Sequence, residues 1–342
     1  MTARPRLGAV EFALRDATRP LLVLGPSLGT SVSALWGDVA YLLAGAVRPA
    51  EVAAADEGAP AVGGVPAGDS APGAAGTADT DGADAAGTPG TPGTAGAAGA
   101  AGAGGAVGAG AAQGEFDVIG WDLPGHGTAP TPTAAELDGL SIADLARAVL
   151  DVVERAQARR GDVGAPFWYA GVSVGGAVGQ QLLLDAPGRV LGAALICTAT
   201  QFGEPAGWAE RADLARRAGT PTQVEAAARR WFAPGFLERE PQVALRLLGS
   251  LQTADRFGYA AVCRAVGAHD LRGRLNSVAV PVVAIAGSAD PATPPEKVEE
   301  IADAVPGARL VVLDGTAHLA PAERPQAVAE LVRDLVTGRV TA

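Results

Sequence analysis

The chain has 342 residues, 48% hydrophobic and 4% aromatic, with a net charge of −11. That length holds one large domain or two small ones, and the acidic balance excludes a nucleic-acid binder, which would present a basic face. The two cysteines, Cys197 and Cys263, are too few for a disulfide framework. No long apolar segment follows the basic N-terminal residues, so no signal peptide is expected and a cytoplasmic setting fits.

In chain order, "RPLLVLG" (19–25) is a short apolar run closed by Gly and Pro, the pattern of a buried strand. "SALWGDVAYLL" (33–43) has helical spacing. Residues 46–114 then break the pattern. Within them, 51–110 contain 38 Ala or Gly and seven acids, with no Leu, Ile, aromatic, Lys or Arg. Such a stretch cannot bury enough apolar surface to offset its ordering entropy, and it reads as a flexible, disordered low-complexity insert. It lacks the Leu, Ile and Phe that favour membrane insertion, so no membrane association is expected.

"FDVIGWD" (116–122) resumes as a strand, and "SIADLARAVLDVVERA" (141–156) is an amphipathic helix with Ser141 as N-cap. "PFWYAGV" (166–172) is a strand that runs into Ser173, and "GGAVGQQLLLDAP" continues as helix. "LGAALICTA" (191–199), "VPVVAIAGSAD" (280–290) and "ARLVVLDG" (308–315) are further strands, and "ERPQAVAELVRDLV" (323–336) is a closing helix. Apolar strands alternating with helices imply an α/β fold, with a mostly parallel sheet covered on both faces. Residues 204–274 are helical throughout. They lie between two strands of one sheet and read as a cap over its C-terminal edge, where open α/β sheets bind ligands. The core then comprises 1–45, 115–203 and 275–342.

Ser173 stands in Gly171-Val-Ser-Val-Gly175, between a strand and a helix. Serine needs a base to take its proton, and the base needs a carboxylate to orient it. Of the three histidines, His318 follows the last strand. Asp290 follows the strand before it. Ser173, Asp290 and His318 therefore each sit at a strand's C-terminal end, in the order of a nucleophile-elbow hydrolase. The bland alternative is that all three serve turns and caps. Asp314 is a rival acid, whereas His126 reads as a turn residue and His269 as a residue of the cap. The Val174 N–H begins a helix and can face an oxyanion. A second donor would come from the loop at 25–36, with Leu28 the candidate and Ser27 or Gly29 its alternatives.

These residues resemble the α/β-hydrolase family, and within it the 3-oxoadipate enol-lactonases. The resemblance rests on "SLGTSVSALW", "GWDLPGHG", "GVSVGG", "TATQFGEPAGWAERADLARRAGT", "RWFAPGF", "LQTADRFGYAAVCRAVGAHDL" and "GSADPATPPE". It implies hydrolysis of a small-molecule lactone with no metal or organic cofactor. Trp208 would pack on the ring and Arg211 would meet the substrate's carboxylate. A carboxylesterase or a cofactor-free haloperoxidase-like hydrolase would share the triad, and a non-catalytic binder would share the fold. Oligomeric state is left open.

Overall fold

The computed structural model describes residues 3–44 and 115–339. The expected insert at 46–114 lies outside the described residues.

Seven strands form one sheet in the order β1-β3-β2-β4-β5-β6-β7. They are β1 (Gly8–Ala13), β2 (Leu21–Gly25), β3 (Asp117–Asp122), β4 (Phe167–Val172), β5 (Val190–Ile196), β6 (Val282–Gly287) and β7 (Arg309–Leu313). Six of them are parallel, at or within a few residues of the ranges expected from the sequence. Strands β2, β3 and β6 are buried at every position, so both sheet faces must be covered.

β1 was not anticipated. It pairs antiparallel with β3 at the sheet edge and shifts register between Glu11 and Ala13. Its sequence, GAVEFA, is interrupted by Glu11 and lacks the continuous apolar run of the other strands.

Two helix pairs pack on the sheet. α1 (Val32–Ala44) lies against the closing helix Pro325–Val336, and the helix Ile142–Arg160 lies against Val174–Asp185. Ser141 caps Ile142–Arg160 by accepting the Asp144 N–H at 3.2 Å, while the Asp144 carboxylate accepts the Ser141 N–H at 3.0 Å. The helix runs four residues beyond the expected end, to a left-handed cap at Gly161.

Between β5 and β6 the chain forms helices Pro205–Ala218, Val224–Trp231, Phe236–Arg239, Pro241–Thr253 and Arg256–Gly267. No strand occurs in this excursion. Its entry and exit are tied by the isolated bridge Gln201–Asp270 and by the Leu271 N–H, which donates to the Thr200 carbonyl at 2.9 Å. It touches the loops of the sheet's C-terminal edge. The Leu319 N–H donates to the Trp231 carbonyl at 3.2 Å, and the Asp255 N–H to the Gly125 carbonyl at 2.7 Å. Among the described residues no helix is long and apolar enough to cross a membrane.

Candidate active site

The sheet order reverses around β2, because β3 lies on one side of it and β4 on the other. Gly25 ends β2 directly beside Gly171 of β4. The loops after these strands therefore meet, and a crevice opens at this switch point.

Ser173 occupies the turn with φ 56° and ψ −115°, a conformation that costs a non-glycine residue free energy. The neighbourhood over-determines it. The Ser173 N–H donates to the Ile196 carbonyl at 2.9 Å, and the Thr198 hydroxyl donates to the Ser173 carbonyl at 2.7 Å. The Gly175 N–H donates to the Pro26 carbonyl at 3.0 Å. A Cβ on Gly175 would stand 2.6 Å from that carbonyl oxygen and 2.7 Å from the Gly25 carbonyl carbon. Only glycine lets the new helix pass this close to the loop after β2.

His318 and Asp290 reach the same place from β7 and β6. The loops after these strands lie side by side, because Gly287 pairs with Leu313 at the strand ends. His318 Nδ1 lies 2.8 Å from Asp290 Oδ2. Asp290 Oδ1 accepts the N–H groups of Ala292 at 2.8 Å and Thr293 at 3.1 Å, and Oδ2 accepts the Thr293 hydroxyl at 2.7 Å. Burial pushes the Asp290 carboxyl up, but the His318 ring and the Thr293 donors outweigh it and hold the carboxyl below its ordinary value. With Nδ1 engaged by a carboxylate, Nε2 is the nitrogen left to exchange a proton.

Ser173 and His318 line one cavity of about 170 Å³, together with Leu28, Trp208, Arg211 and Arg230. A larger groove of about 730 Å³, lined by Leu137, Leu140 and Phe257 among others, contains none of these residues. The smaller cavity is the candidate site, because Ser173 and His318 meet there with Asp290 behind the imidazole.

Of the two expected oxyanion donors, Leu28 lines this cavity and Val174 directly follows Ser173 at the start of its helix. Among the described residues neither the Leu28 nor the Val174 N–H donates to a protein acceptor, so both are free to face a ligand. The Ser27 N–H is committed to the Thr30 hydroxyl at 3.2 Å, which removes it as an alternative to Leu28.

Trp208 and Arg211 form one wall. The Trp208 indole N–H donates to the Phe202 carbonyl at 2.6 Å. The Arg211 guanidinium lies over the Trp208 ring at 5.1 Å and the Tyr259 ring at 5.4 Å. Its Nε donates to the Tyr259 hydroxyl at 2.7 Å, and one terminal nitrogen donates to the same oxygen.

The remaining candidates lie elsewhere. Asp314 is exposed and accepts the Ser288 hydroxyl at 3.2 Å. His126 is buried in its turn, with Nδ1 3.0 Å from the Pro124 carbonyl and its ring stacked 6.1 Å from Tyr259. His269 is buried against Phe202, with ring centroids 5.8 Å apart. Burial pulls both imidazoles down to about 4, so each is neutral at pH 7. Among the described residues no cluster of three or more His, Cys, Asp or Glu forms that could hold a metal ion.

Glu323, unremarked in the sequence, is a strut of the site. Its Oε1 accepts the Ala317 N–H at 3.1 Å, one residue before His318, and its Oε2 accepts the Ala233 N–H of the helical excursion at 3.3 Å. Burial raises its carboxyl to about 6. Arg230 and Trp231 were also passed over as site residues. The i,i+4 spacing of Glu225 and Arg229 is the local signal that turns Arg229 outward, but nothing local aims Arg230 into a cavity.

A model of the alpha/beta hydrolase family matches residues 89–331. Among curated proteins, the 3-oxoadipate enol-lactonase 2 of Acinetobacter baylyi is 33% identical over 216 residues, 63% of this chain and 76% of that protein. The 3-oxoadipate enol-lactonase 1 of the same strain is 26% identical over 63% of this chain and 77% of its own. The crystal structure of the enol-lactonase from Burkholderia xenovorans LB400 superposes with a TM-score of 0.69 at 24% identity, covering 98% of this chain and all of that one. With a family match across most of its length, on a largely parallel sheet with Ser173 at a strand–helix turn, the chain belongs to the alpha/beta hydrolase family.

Proposed function

We propose that the protein is a serine hydrolase that opens 3-oxoadipate enol-lactone to 3-oxoadipate in aromatic-compound catabolism. The observation that carries this reading is the 2.8 Å contact of His318 Nδ1 with Asp290, beside the cavity that Ser173 and His318 line. The relationship to enol-lactonases at up to 33% identity supports a lactone as the substrate.

Ser173 Oγ attacks the lactone carbonyl while His318 Nε2 takes its proton. Asp290 fixes the imidazole tautomer and stabilises the imidazolium. The tetrahedral oxyanion rests on the Leu28 and Val174 N–H groups, and the second of these stands at the positive end of its helix. Collapse breaks the ring C–O bond. The departing enol oxygen takes the proton from His318, and the enol tautomerises to the ketone while still joined to the acyl group. Water, deprotonated by His318, then attacks the acyl-enzyme and frees Ser173. The net reaction adds one water and needs no other reactant. Trp208 flanks the ring, the Arg211 side of the wall receives the substrate's carboxylate, and residues 204–274 act as the cap that shapes the pocket. The free, buried thiols Cys197 and Cys263 suit a reducing compartment such as the cytoplasm.

The test follows loss of enol-lactone absorbance with the purified protein and its Ser173→Ala variant. Rapid loss that vanishes in the variant supports the reading. Inertness toward this lactone, with Ser173-dependent cleavage of a simple aryl ester, replaces the lactonase with a carboxylesterase.

A further inference from the structure

Two guanidinium groups, those of Arg211 and Arg230, line the candidate cavity. They are not equivalent. Arg211 is already engaged, with two of its nitrogens on the Tyr259 hydroxyl and its plane against two aromatic rings. Arg230 has no such anchor, and its Nη2 is buried without a hydrogen-bond partner.

Nor does a carboxylate of the excursion answer Arg230. Glu225, one turn earlier on the same helix, pairs with Arg229 at 2.6 Å on the exposed side. Asp213, on the helix that carries Arg211, pairs with Arg264 at 2.6 Å. Burial, and after it the charge of Arg211, pull the Arg230 pKa down, as expected of a cation short of water and close to another cation. Leaving a guanidinium donor buried and unmatched is unfavourable, and an anion arriving in the cavity removes that penalty.

We propose that Arg230 is the anion contact of this pocket and makes the enzyme selective for esters or lactones that carry a carboxylate remote from the scissile carbonyl. The proposal deepens the reading of Ser173 as nucleophile and rests on it for the position of the carbonyl. Arg211, held by Tyr259 and Trp208, supplies a second positive charge beside the bound carboxylate. A planar guanidinium suits that partner because two parallel N–H groups can meet two oxygens. Lysine at the same position would keep the charge and lose the fork.

Two aryl esters of equal chain length test this, the 4-nitrophenyl monoester of glutaric acid and neutral 4-nitrophenyl pentanoate. The readout is the ratio of their kcat/KM values. In Arg230→Gln that ratio is expected to fall roughly 10- to 100-fold, mainly through KM of the glutarate ester. Arg230→Lys should retain part of the preference. An unchanged ratio overturns the proposal, and so does a loss of both activities in equal proportion. If the wild type cleaves neither ester, the nucleophile reading has failed, and calorimetric titration with glutarate still decides the anion site. Glutarate binding weakened at least tenfold in Arg230→Gln sustains it, and equal affinity for the two proteins sinks it.

Discussion

The turn at Ser173 and the helical wall opposite it meet in one cavity but are built on different terms. The turn is made of backbone. Apart from the Val174 N–H its named backbone groups are paired, a Cβ on Gly175 would strike two main-chain atoms, and the surrounding bonds hold Ser173 at a strained φ. The wall is made of side chains, and at Arg230 a donor is left over. On the proposed reading, the chemistry depends on geometry that tolerates little change, and the choice of substrate on side chains that can be exchanged.

The strongest challenge to that division is at the turn. Ser173→Ala should lower kcat by roughly 10⁴- to 10⁶-fold with little change in thermal midpoint, as read by steady-state rates and calorimetry. A residual rate near wild type would remove Ser173 from the mechanism. Asp290→Asn should cost about 10⁴-fold in kcat, because the amide favours the wrong imidazole tautomer; an effect confined to KM would assign Asp290 a binding role instead.

Glycines sharpen the contrast in stability. Gly175→Ala places its methyl against backbone that cannot retreat and should cost ~3 kcal/mol in denaturant unfolding, with activity falling as the turn shifts. At the opposite end of the scale is Gly249, inside the helix Pro241–Thr253, where a Cβ would meet nothing within 4 Å. Gly249→Ala should stabilise by about 0.5–1 kcal/mol and leave kcat alone. A destabilised Gly249 variant would show that the excursion is as closely packed as the turn.

Between those two effects lies a pH dependence. His126 and His269 titrate at about 4 when folded, against 6.5 in an unfolded chain. Below pH 6.5 the unfolded state therefore binds protons that the native state refuses. Their contribution is complete above 6.5 and declines toward pH 4, on the order of 3 kcal/mol for each. Glu323, raised to about 6, works in the opposite direction between 6 and 4.5, so the net slope is set by the two histidines. Thermal midpoints measured across this range should fall with pH, and His126→Gln should flatten the decline. A flat wild-type profile would mean that these imidazoles are not held neutral.

The turn was legible in the sequence because its requirements are local. Glycine spacing around Ser173, apolar runs before it and the chain order of Asp290 and His318 are all one-dimensional signals. The wall was legible only in outline. The i,i+4 spacing of Glu225 and Arg229 pairs those two on one helix face, but only the tertiary fold sends Arg230 into the cavity. Glu323 was missed for the same reason, since its two partners lie 6 and 90 positions away. β1 escaped because Glu11 interrupts it, so that it lacks the apolar run that marks β7, the other edge strand.

Glu323 bears on how such a protein can diversify. One carboxylate fastens the Ala317 N–H on the His318 loop and the Ala233 N–H on the excursion, and the Leu319 N–H adds a second tie to Trp231. The excursion is thus not a detachable module. A transplanted segment from a relative would fit the sheet at its two splice points and still leave the imidazole adrift, unless it presented main-chain groups where Trp231 and Ala233 stand. Recombination in this lineage is therefore expected to respect a junction after the stretch "RWFA", with new specificities entering by point substitution along the wall.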